Sequence, residues 1–249
     1  MRPSRSGIGR SLDVYYRDAA RTERMDRLNA QFVANGSLAF DIGAHVGDRT
    51  ASFLRLGASV VALEPQPRVF RALRLIHGRT REAVLRCEAV GATSGQIGMY
   101  LNSENPTIST ASHDLLASAK TSTGWRDQVW DARIDVPVTT LDRLVAEHGL
   151  PDFMKIDVEG HEAEVLAGLT VAVPALSFEF TTIQRDVAYD CLRRLGELGP
   201  FEFNLSLGED HVLRHRNWVS GSDMAAEIRS LPEQANSGDV YARSVRDTA

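Results

Sequence analysis

Residues 40–47, with the sequence FDIGAHVG, decide the predicted fold. The apolar residues 37–40 predict a buried strand, and residues 46–56 predict a helix. Gly43 allows a sharp turn between them and lets a ligand approach the backbone closely, and Gly47 lets the helix pack near the strand. Because the free N–H groups and the positive dipole end of a helix lie at its N-terminus, such a turn is typical of a ligand-binding site.

Predicted strands and helices alternate on both sides of this turn. The strands lie at residues 58–63, 83–89, 97–101, 134–138, 153–156 and 175–180, and the helices at residues 66–77, 160–169 and 181–198. A further helix begins at the capping-box sequence of residues 139–142. The alternation predicts an α/β fold with a mainly parallel sheet and helices on both faces. Residues 201–205 and 211–213 predict a C-terminal antiparallel hairpin, and most of residues 91–130 predict a long loop.

The sequence predicts two regions with a boundary near residue 36. Residues 1–36 are predicted to form an N-terminal arm and helical cap, with a loose basic arm over residues 1–10 and a helix over residues 11–33. Residues 37–249 are predicted to form one domain, which is an ordinary size for a single α/β core.

Composition indicates a soluble globular protein. Of the 249 residues, 43% are hydrophobic and 24% are charged, and the formal net charge is −5. A negative charge argues against a general nucleic-acid binder. No apolar run is long enough to span a membrane, the first residues lack the apolar region of a signal peptide, and the two cysteines are predicted to be free. We therefore expect a cytoplasmic protein, and the oligomeric state stays open.

Two acids follow the first two predicted strands and suggest a nucleoside site. Asp41 would repel the pyrophosphate that dinucleotide enzymes hold at this helix terminus, but it suits a ligand that carries an ammonium and a sulfonium, as S-adenosylmethionine does. Glu64 lies about twenty residues after Gly43, where an acid can accept hydrogen bonds from ribose hydroxyls. Either acid alone is usually a solvated strand end, but the combination favours a nucleoside site.

The glycine spacing argues against a nicotinamide-dependent reductase. Gly43 and Gly47 form G-x-x-x-G rather than G-x-G-x-x-G, and no Tyr-x-x-x-Lys proton donor is present. Glu88 ends the third predicted strand and is followed by Ala89 and Val90. The segment at Glu88 either contacts the adenine of a bound nucleoside or is an ordinary strand end without a ligand.

Four segments resemble the FkbM family of methyltransferases. They are residues 40–50 (FDIGAHVGDRT), 61–67 (VALEPQP), 138–144 (VTTLDRL) and 155–166 (KIDVEGHEAEVL). With similar residues near both ends, the resemblance covers nearly the whole chain. It implies a Rossmann-like class I methyltransferase fold with S-adenosylmethionine as methyl donor. It also implies transfer to hydroxyl oxygens of sugars or natural products, and cofactor roles for Asp41, Gly43, Gly47 and Glu64.

A predicted catalytic region lies next to the predicted cofactor site, because ligands bind beyond the carboxyl ends of parallel strands. Asp157 and Glu159 follow one predicted strand and Glu179 lies near the end of the next, so these acids are expected to converge beside the methyl group. Asp157 is the first candidate to bind the methionine ammonium or the substrate hydroxyl, and Glu159 and Glu179 are candidates for base or substrate positioning. His161 is either a base or a surface residue of the helix start. Lys155 is expected to form a structural ion pair with Asp157 or Glu179.

The sequence therefore predicts an enzyme that methylates a hydroxyl of a sugar or another small molecule. Transfer to nitrogen or carbon stays open, because the cofactor half would look the same, and a reductase or a non-catalytic binding module is less favoured. The acids could hold a hard cation, but no metal-ligand spacing stands out and no metal is predicted. The predicted catalytic residues are Asp157, Glu159, Glu179 and His161. The predicted cofactor residues are Asp41, Gly43, Ala44, His45, Gly47, Glu64, Pro65, Gln66, Glu88, Ala89, Val90 and Asp157.

Overall fold

The computed structural model describes residues 7–245. Its strands are β1 (Leu38–Ile42), β2 (Ser59–Leu63), β3 (Ala83–Arg86), β4 (Ala89–Val90), β5 (Gly95–Leu101), β6 (Ala132–Thr139), β7 (Phe153–Ile156), β8 (Ala175–Thr181), β9 (Phe201–Leu207) and β10 (Ser237–Ser244). Its helices are α1 (Gly7–Arg17), α2 (Ala19–Asn29), α3 (Asp48–Arg55), α4 (Pro67–His77), α5 (His113–Thr121), α6 (Leu141–His148), α7 (Glu162–Ala167), α8 (Arg185–Leu198) and α9 (Gly221–Ser230).

The main sheet has seven strands in the order β3-β2-β1-β7-β8-β10-β9. The first five pair in parallel, and β10 is antiparallel to both β8 and β9. A smaller sheet has the order β4-β6-β5. The chain runs outward from β1 to β3 and then returns to the other side of β1, so the strand order reverses between β1 and β7. Open α/β sheets bind their ligands at such a reversal, beyond the carboxyl ends of the strands.

Helices cover both faces of the main sheet, which confirms the predicted α/β fold class. Successive residues of β1 point to opposite faces, as a strand requires. Phe40 and Ile42 pack in a large apolar cluster with α6, α7, α8 and α9, whereas Ala39 packs in a second cluster with α2, α3 and α4. Burial on both faces explains why β1 is apolar almost throughout.

Several predicted boundaries near the N-terminus were wrong. Residues 7–10 belong to α1 rather than to a loose arm, and residues 1–6 lie outside the described residues. The single helix predicted for residues 11–33 is two helices, because the side chain of Asp18 accepts a hydrogen bond from the backbone N–H of Arg21 and starts α2. The division into a helical cap and one domain beginning at residue 37 stays a prediction.

The middle of the chain also differs from the prediction. The third predicted strand splits, since β3 ends at Arg86 and β4 joins the smaller sheet. The predicted loop contains α5, which is capped by Ser112. The N-terminal cap of α6 is Thr140 rather than Thr139.

The C-terminal antiparallel hairpin is present, but the predicted partner of its first strand was wrong. Strand β9 pairs with β10, whose residues Val240–Ala242 are fully or almost fully buried. Residues 211–213 form no strand, and His211 has a positive φ of 54°. The eight-residue β10, whose central residues are buried, lies between β8 and β9 and pairs with both along its length.

Two further sequence expectations can be compared with residues 7–245. Cys87 and Cys191 are both free, as predicted. No helix in this part of the chain combines the length and the apolar character needed to cross a membrane.

Candidate functional site

A cavity lies where the strand order reverses, at the carboxyl ends of β1 and β7. It holds about 940 Å³ of atom-free space, part of which is open to solvent. That volume falls in the range of small-molecule and cofactor sites. All the predicted cofactor residues except Gly47 line it, namely Asp41, Gly43, Ala44, His45, Glu64, Pro65, Gln66, Glu88, Ala89, Val90 and Asp157. Of the predicted catalytic residues, Asp157, Glu159 and His161 line it.

The two glycines of the β1–α3 turn have different roles. Gly43 has a φ of +84°, and a Cβ atom there would lie 1.8 Å from the carbonyl oxygen of Asp157. The close approach is therefore between two loops of the protein at the cavity. Gly47 has a φ of +87°, and a Cβ atom there would lie 2.5–2.8 Å from Leu73 and His77. Gly47 thus permits packing of the turn against α4 rather than against the strand, and it does not line the cavity.

Asp41 offers the cavity a buried acceptor. The residue is 1% exposed, and its Oδ2 accepts a 2.5 Å hydrogen bond from the hydroxyl of Thr50. Its Oδ1 is buried and has no hydrogen-bond partner among the described residues. Burial raises the pKa of Asp41 to about 6. An unpartnered carboxylate oxygen at this position fits a ligand that brings a cation or a hydrogen-bond donor.

Glu64 is held in a fixed orientation by the backbone. It is 3% exposed, and its two carboxylate oxygens accept hydrogen bonds from the N–H groups of His45 (3.0 Å) and Gln66 (2.7 Å). Burial raises its pKa to about 7, although these hydrogen bonds oppose the shift. Each oxygen keeps a second lone pair, so the carboxylate can accept one hydrogen bond from each of two neighbouring hydroxyls. This arrangement fits the ribose of a nucleoside.

The outer part of the cavity combines apolar walls with an ion pair. Val90, Met99 and Val136 line it and are buried, which suits a flat base. Glu88 also lines it, and its carboxylate is held by Arg86 at 3.0 Å. An adenine contact by Glu88 stays a prediction.

Lys155 is a structural cation on β7, as expected. It is 2% exposed, and its Nζ lies 3.1 Å from Asp157 Oδ2 and 2.6 Å from Asp239 Oδ1. These two acids hold the pKa of Lys155 well above its usual value despite its burial. The pairing with Asp157 was predicted. Asp239 on β10 was missed, because the sequence does not reveal that β10 lies beside β8.

Asp157, Glu159 and Glu179 converge and are called the acid cluster below. Carboxylate oxygens of these three residues lie within 4.8 Å of one another. Burial and the negative charge of Asp157 raise the pKa of Glu159 and Glu179 well above the usual range. Glu179 does not line the large cavity. Glu179 instead lines a small crevice that Glu162 also lines.

Backbone strain accompanies this cluster. Glu159 has a φ of +56°, a left-handed conformation that costs a non-glycine residue on the order of 1–3 kcal/mol. The next residue, Gly160, has a φ of +86°. Backbone strain of this kind is common at functional sites, where the benefit of holding a side chain in a required position offsets the energy of the strained conformation.

The two histidines of the cavity differ in their contacts. His45 contributes its backbone N–H to Glu64, while its ring is buried and lies edge-on to Tyr15 with ring centroids 5.9 Å apart. Burial lowers the pKa of His161, so its ring is neutral near pH 7 and can accept a proton. His161 lines the cavity and, as the N-terminal cap residue of α7, makes no side-chain cap hydrogen bond, so its role as a base stays a prediction.

Residues from both ends of the described chain cover the cavity, and most of them were missed. Tyr15 of α1 and Glu209 of the loop after β9 line it together with Arg49. Arg21 of α2 pairs with Asp48 and with Glu209, which ties the N-terminal helices to that loop. Long-range pairing of this kind leaves no local sequence signal.

The Ser/Thr-rich segment before α5 also reaches the site. Thr107, Ser109 and Ala111 line the cavity, and the Thr110 hydroxyl donates a 2.6 Å hydrogen bond to the carbonyl of Glu159. The three tryptophans do not line the cavity. The indole N–H of Trp125 donates to Asn236 and that of Trp130 to the carbonyl of Ile108, which is typical of packing anchors.

Comparison with known proteins decides the family. The model of the methyltransferase FkbM domain matches residues 41–230. The chain belongs to the FkbM methyltransferase family. Its fold is the Rossmann-like fold of class I methyltransferases, and its cofactor is S-adenosylmethionine. The family excludes the nicotinamide-dependent reductase considered from the sequence.

Individual relatives of this FkbM-family chain are distant. It is 27% identical over 206 residues to the hexuronic acid methyltransferase AglP of Haloferax volcanii, covering 80% of this chain and 79% of AglP. A precorrin-6y C5,15-methyltransferase of Geobacter metallireducens has a TM-score of 0.46 and 11% identity, covering 91% of this chain and 86% of that one. A putative O-methyltransferase of Klebsiella pneumoniae has a TM-score of 0.42 and 12% identity, covering 99% and 93%. Similarity at this level does not identify the methyl acceptor.

Proposed function

We propose that the chain transfers the methyl group of S-adenosylmethionine to a hydroxyl oxygen of a sugar or a similar small molecule. The observation that carries the proposal is that one cavity is lined both by the cofactor candidates Asp41 and Glu64 and by the acceptor candidates His161 and Glu159. The hexuronic acid methyltransferase AglP, to which the chain is similar, favours a sugar as the acceptor.

The cofactor side has a donor set that suits S-adenosylmethionine. Glu64 would accept hydrogen bonds from the ribose hydroxyls, and the unpartnered Oδ1 of Asp41 would hold the cationic methionine end together with Asp157. Glu88, Ala89 and Val90 would hold the adenine. Ala44, His45, Pro65 and Gln66, which also line the cavity, would supply the remaining contacts.

The acceptor side supplies a base and a positioning group. S-adenosylmethionine would supply a methyl group that an acceptor oxygen aligned with the C–S bond attacks, while the sulfur leaves as the neutral thioether of S-adenosylhomocysteine. His161 is neutral and takes the hydroxyl proton as the new bond forms. Lys155 neutralises Asp157 and fixes its carboxylate. Glu159 holds a neighbouring hydroxyl of the acceptor.

Isotope labelling tests the proposal directly. The purified protein is incubated with S-adenosylmethionine that carries a ¹³C methyl group and with hexuronic acids, neutral hexoses, polyols and amines, and the products are identified by NMR. We expect a methoxy product from at least one hydroxylated acceptor. Methylation of nitrogen or carbon alone would overturn the oxygen assignment.

A pair of histidine variants tests the base. His161→Asn is expected to lower kcat by about 100-fold or more with little change in KM, as loss of a general base does. The matched control is His113→Asn, because His113 is exposed at the start of α5 and does not line the cavity. Equal kcat values for the two variants would remove His161 from the mechanism.

A further inference from the structure

The acid cluster brings three carboxylates from neighbouring strand ends to one point. Asp157 and Glu159 follow β7, and Glu179 lies on the parallel strand β8. Their nearest carboxylate oxygens all lie within 4.8 Å of one another. Two oxygens that bind one hard cation at about 2.1–2.5 Å lie at most about 4–5 Å apart, so this spread matches a shared ion.

Glu159 provides a second, independent indication of a ligand. It is 8% exposed, and within residues 7–245 its carboxylate has no hydrogen-bond or ion-pair partner. Its carboxylate points into the cluster, and the neighbouring Glu179 Oε2 is buried and equally unpartnered within the described chain. Buried carboxylates normally have donors, so these oxygens are prepared for a group that comes from outside the protein.

The adjacent residues show that the lack of partners is specific to the cluster. Glu162 is also buried, but its Oε1 accepts hydrogen bonds from the backbone N–H groups of Val158 and Gly160. Lys155 reaches Asp157 and Asp239, and no ion pair joins it to Glu159 or Glu179. Among the described residues, neither Glu159 nor Glu179 therefore has an ion-pair partner that would occupy its carboxylate.

We propose that Asp157, Glu159 and Glu179 bind one hard divalent cation of the Mg²⁺ or Mn²⁺ type. Oxygen-only ligation by carboxylates is the set that these ions prefer. Asp157 and Glu159 line the cavity, so the free coordination positions of the ion face the space that the acceptor enters. There the ion binds an acceptor hydroxyl and lowers its pKa, a consequence that rests on the proposed function. Binding of the ion itself does not depend on that function.

Metal binding to the purified protein tests the proposal without any acceptor. Protein treated with a chelator and then freed of it is titrated with Mn²⁺ at pH 7.5. Free Mn²⁺ is followed by electron paramagnetic resonance, with and without S-adenosylhomocysteine. We expect one saturable site per chain, for which Mg²⁺ competes. Absence of saturable binding under both conditions would overturn the proposal and would mean that the carboxyls hold protons instead.

Matched variants assign the site to these residues. Glu159→Gln and Glu179→Gln keep the shape of the side chain and are expected to weaken Mn²⁺ binding at least tenfold, because loss of groups that only support metal ligands already costs about 10- to 100-fold. Glu164→Gln is the control, since Glu164 is exposed on α7 and carries the same charge. Circular dichroism verifies the fold of each variant. Unchanged affinity in folded Glu159→Gln would place the ion elsewhere and refute the assignment.

Discussion

Lowering the pH from 8 to 6 is expected to weaken the binding of S-adenosylhomocysteine to this protein about 10- to 20-fold. The cause is Glu64, which is 3% exposed and whose pKa is raised by burial to about 7. Ribose hydroxyls donate hydrogen bonds, so they bind the ionised carboxylate better than the protonated one. The free protein must therefore lose a proton before the nucleoside binds well.

The magnitude follows from the fraction of Glu64 that is ionised. With a pKa of about 7, that fraction is about one tenth at pH 6 and about nine tenths at pH 8, which corresponds to about 1.2–1.4 kcal/mol of binding free energy. Asp41, with its pKa raised to about 6, adds a factor of about two at pH 6. Affinity is retained above pH 7 and is lost as the pH falls through the pKa of the free protein.

Isothermal titration calorimetry measures both the affinity and the protons released. Titrations at pH 6, 7 and 8 in two buffers of different ionisation enthalpy are expected to show release of about one to one and a half protons at pH 6, from Glu64 and in part from Asp41. Glu64→Gln binds more weakly at pH 8 and loses most of the pH dependence, whereas Glu23→Gln, at an exposed position of α2, behaves like the unmodified protein. A dissociation constant that stays constant from pH 6 to 8, or the same pH dependence in Glu64→Gln, would show that ionisation of Glu64 does not control nucleoside binding.

Two further predictions concern stability and are measured by urea denaturation. Gly43→Ala should destabilise the fold more than Gly36→Ala. Both glycines have φ near +85°, but a Cβ atom at Gly43 meets a carbonyl at 1.8 Å and one at Gly36 meets nothing within 4 Å. The control Gly36→Ala should lower the free energy of unfolding by about 1–2 kcal/mol, because its positive φ disfavours any Cβ atom. Equal losses of stability in the two variants would contradict a steric clash at Gly43. Lys155→Met should cost about 3 kcal/mol, the lower end of the range for a broken buried ion pair, because the buried Asp239 loses its partner at 2.6 Å and keeps only Arg49 at 3.8 Å. Adding Asp239→Asn should recover part of this loss, and strictly additive losses would contradict the pairing.

The sequence predicted best what is determined locally. The β1 turn with Asp41 and Gly43, and the position of Glu64 after β2, depend on short apolar runs and their ends, and the structure brings these residues to one cavity. Helix α5 was missed although a signal was present. Ser112 can cap a helix, and Leu115 and Ala119 are buried at the helical spacing of four residues.

Features that depend on long-range pairing could not be predicted. The position of β10 between β8 and β9 determines that Asp239 lies beside Lys155, and no local pattern gives this order. Tyr15 and Glu209 reach the cavity through the packing of the N-terminal helices and a late loop. The separation of Glu179 from the large cavity likewise depends on the side-chain packing between β7 and β8.

A crystal structure of the protein with S-adenosylhomocysteine tests whether Asp41 and Glu64 hold the cofactor. We expect both ribose hydroxyls to lie within hydrogen-bond distance of the Glu64 carboxylate and the amino group of the ligand to lie beside Asp41 and Asp157. A nucleoside bound instead in the second cavity, beside Gly7 and Pro106, would contradict this expectation.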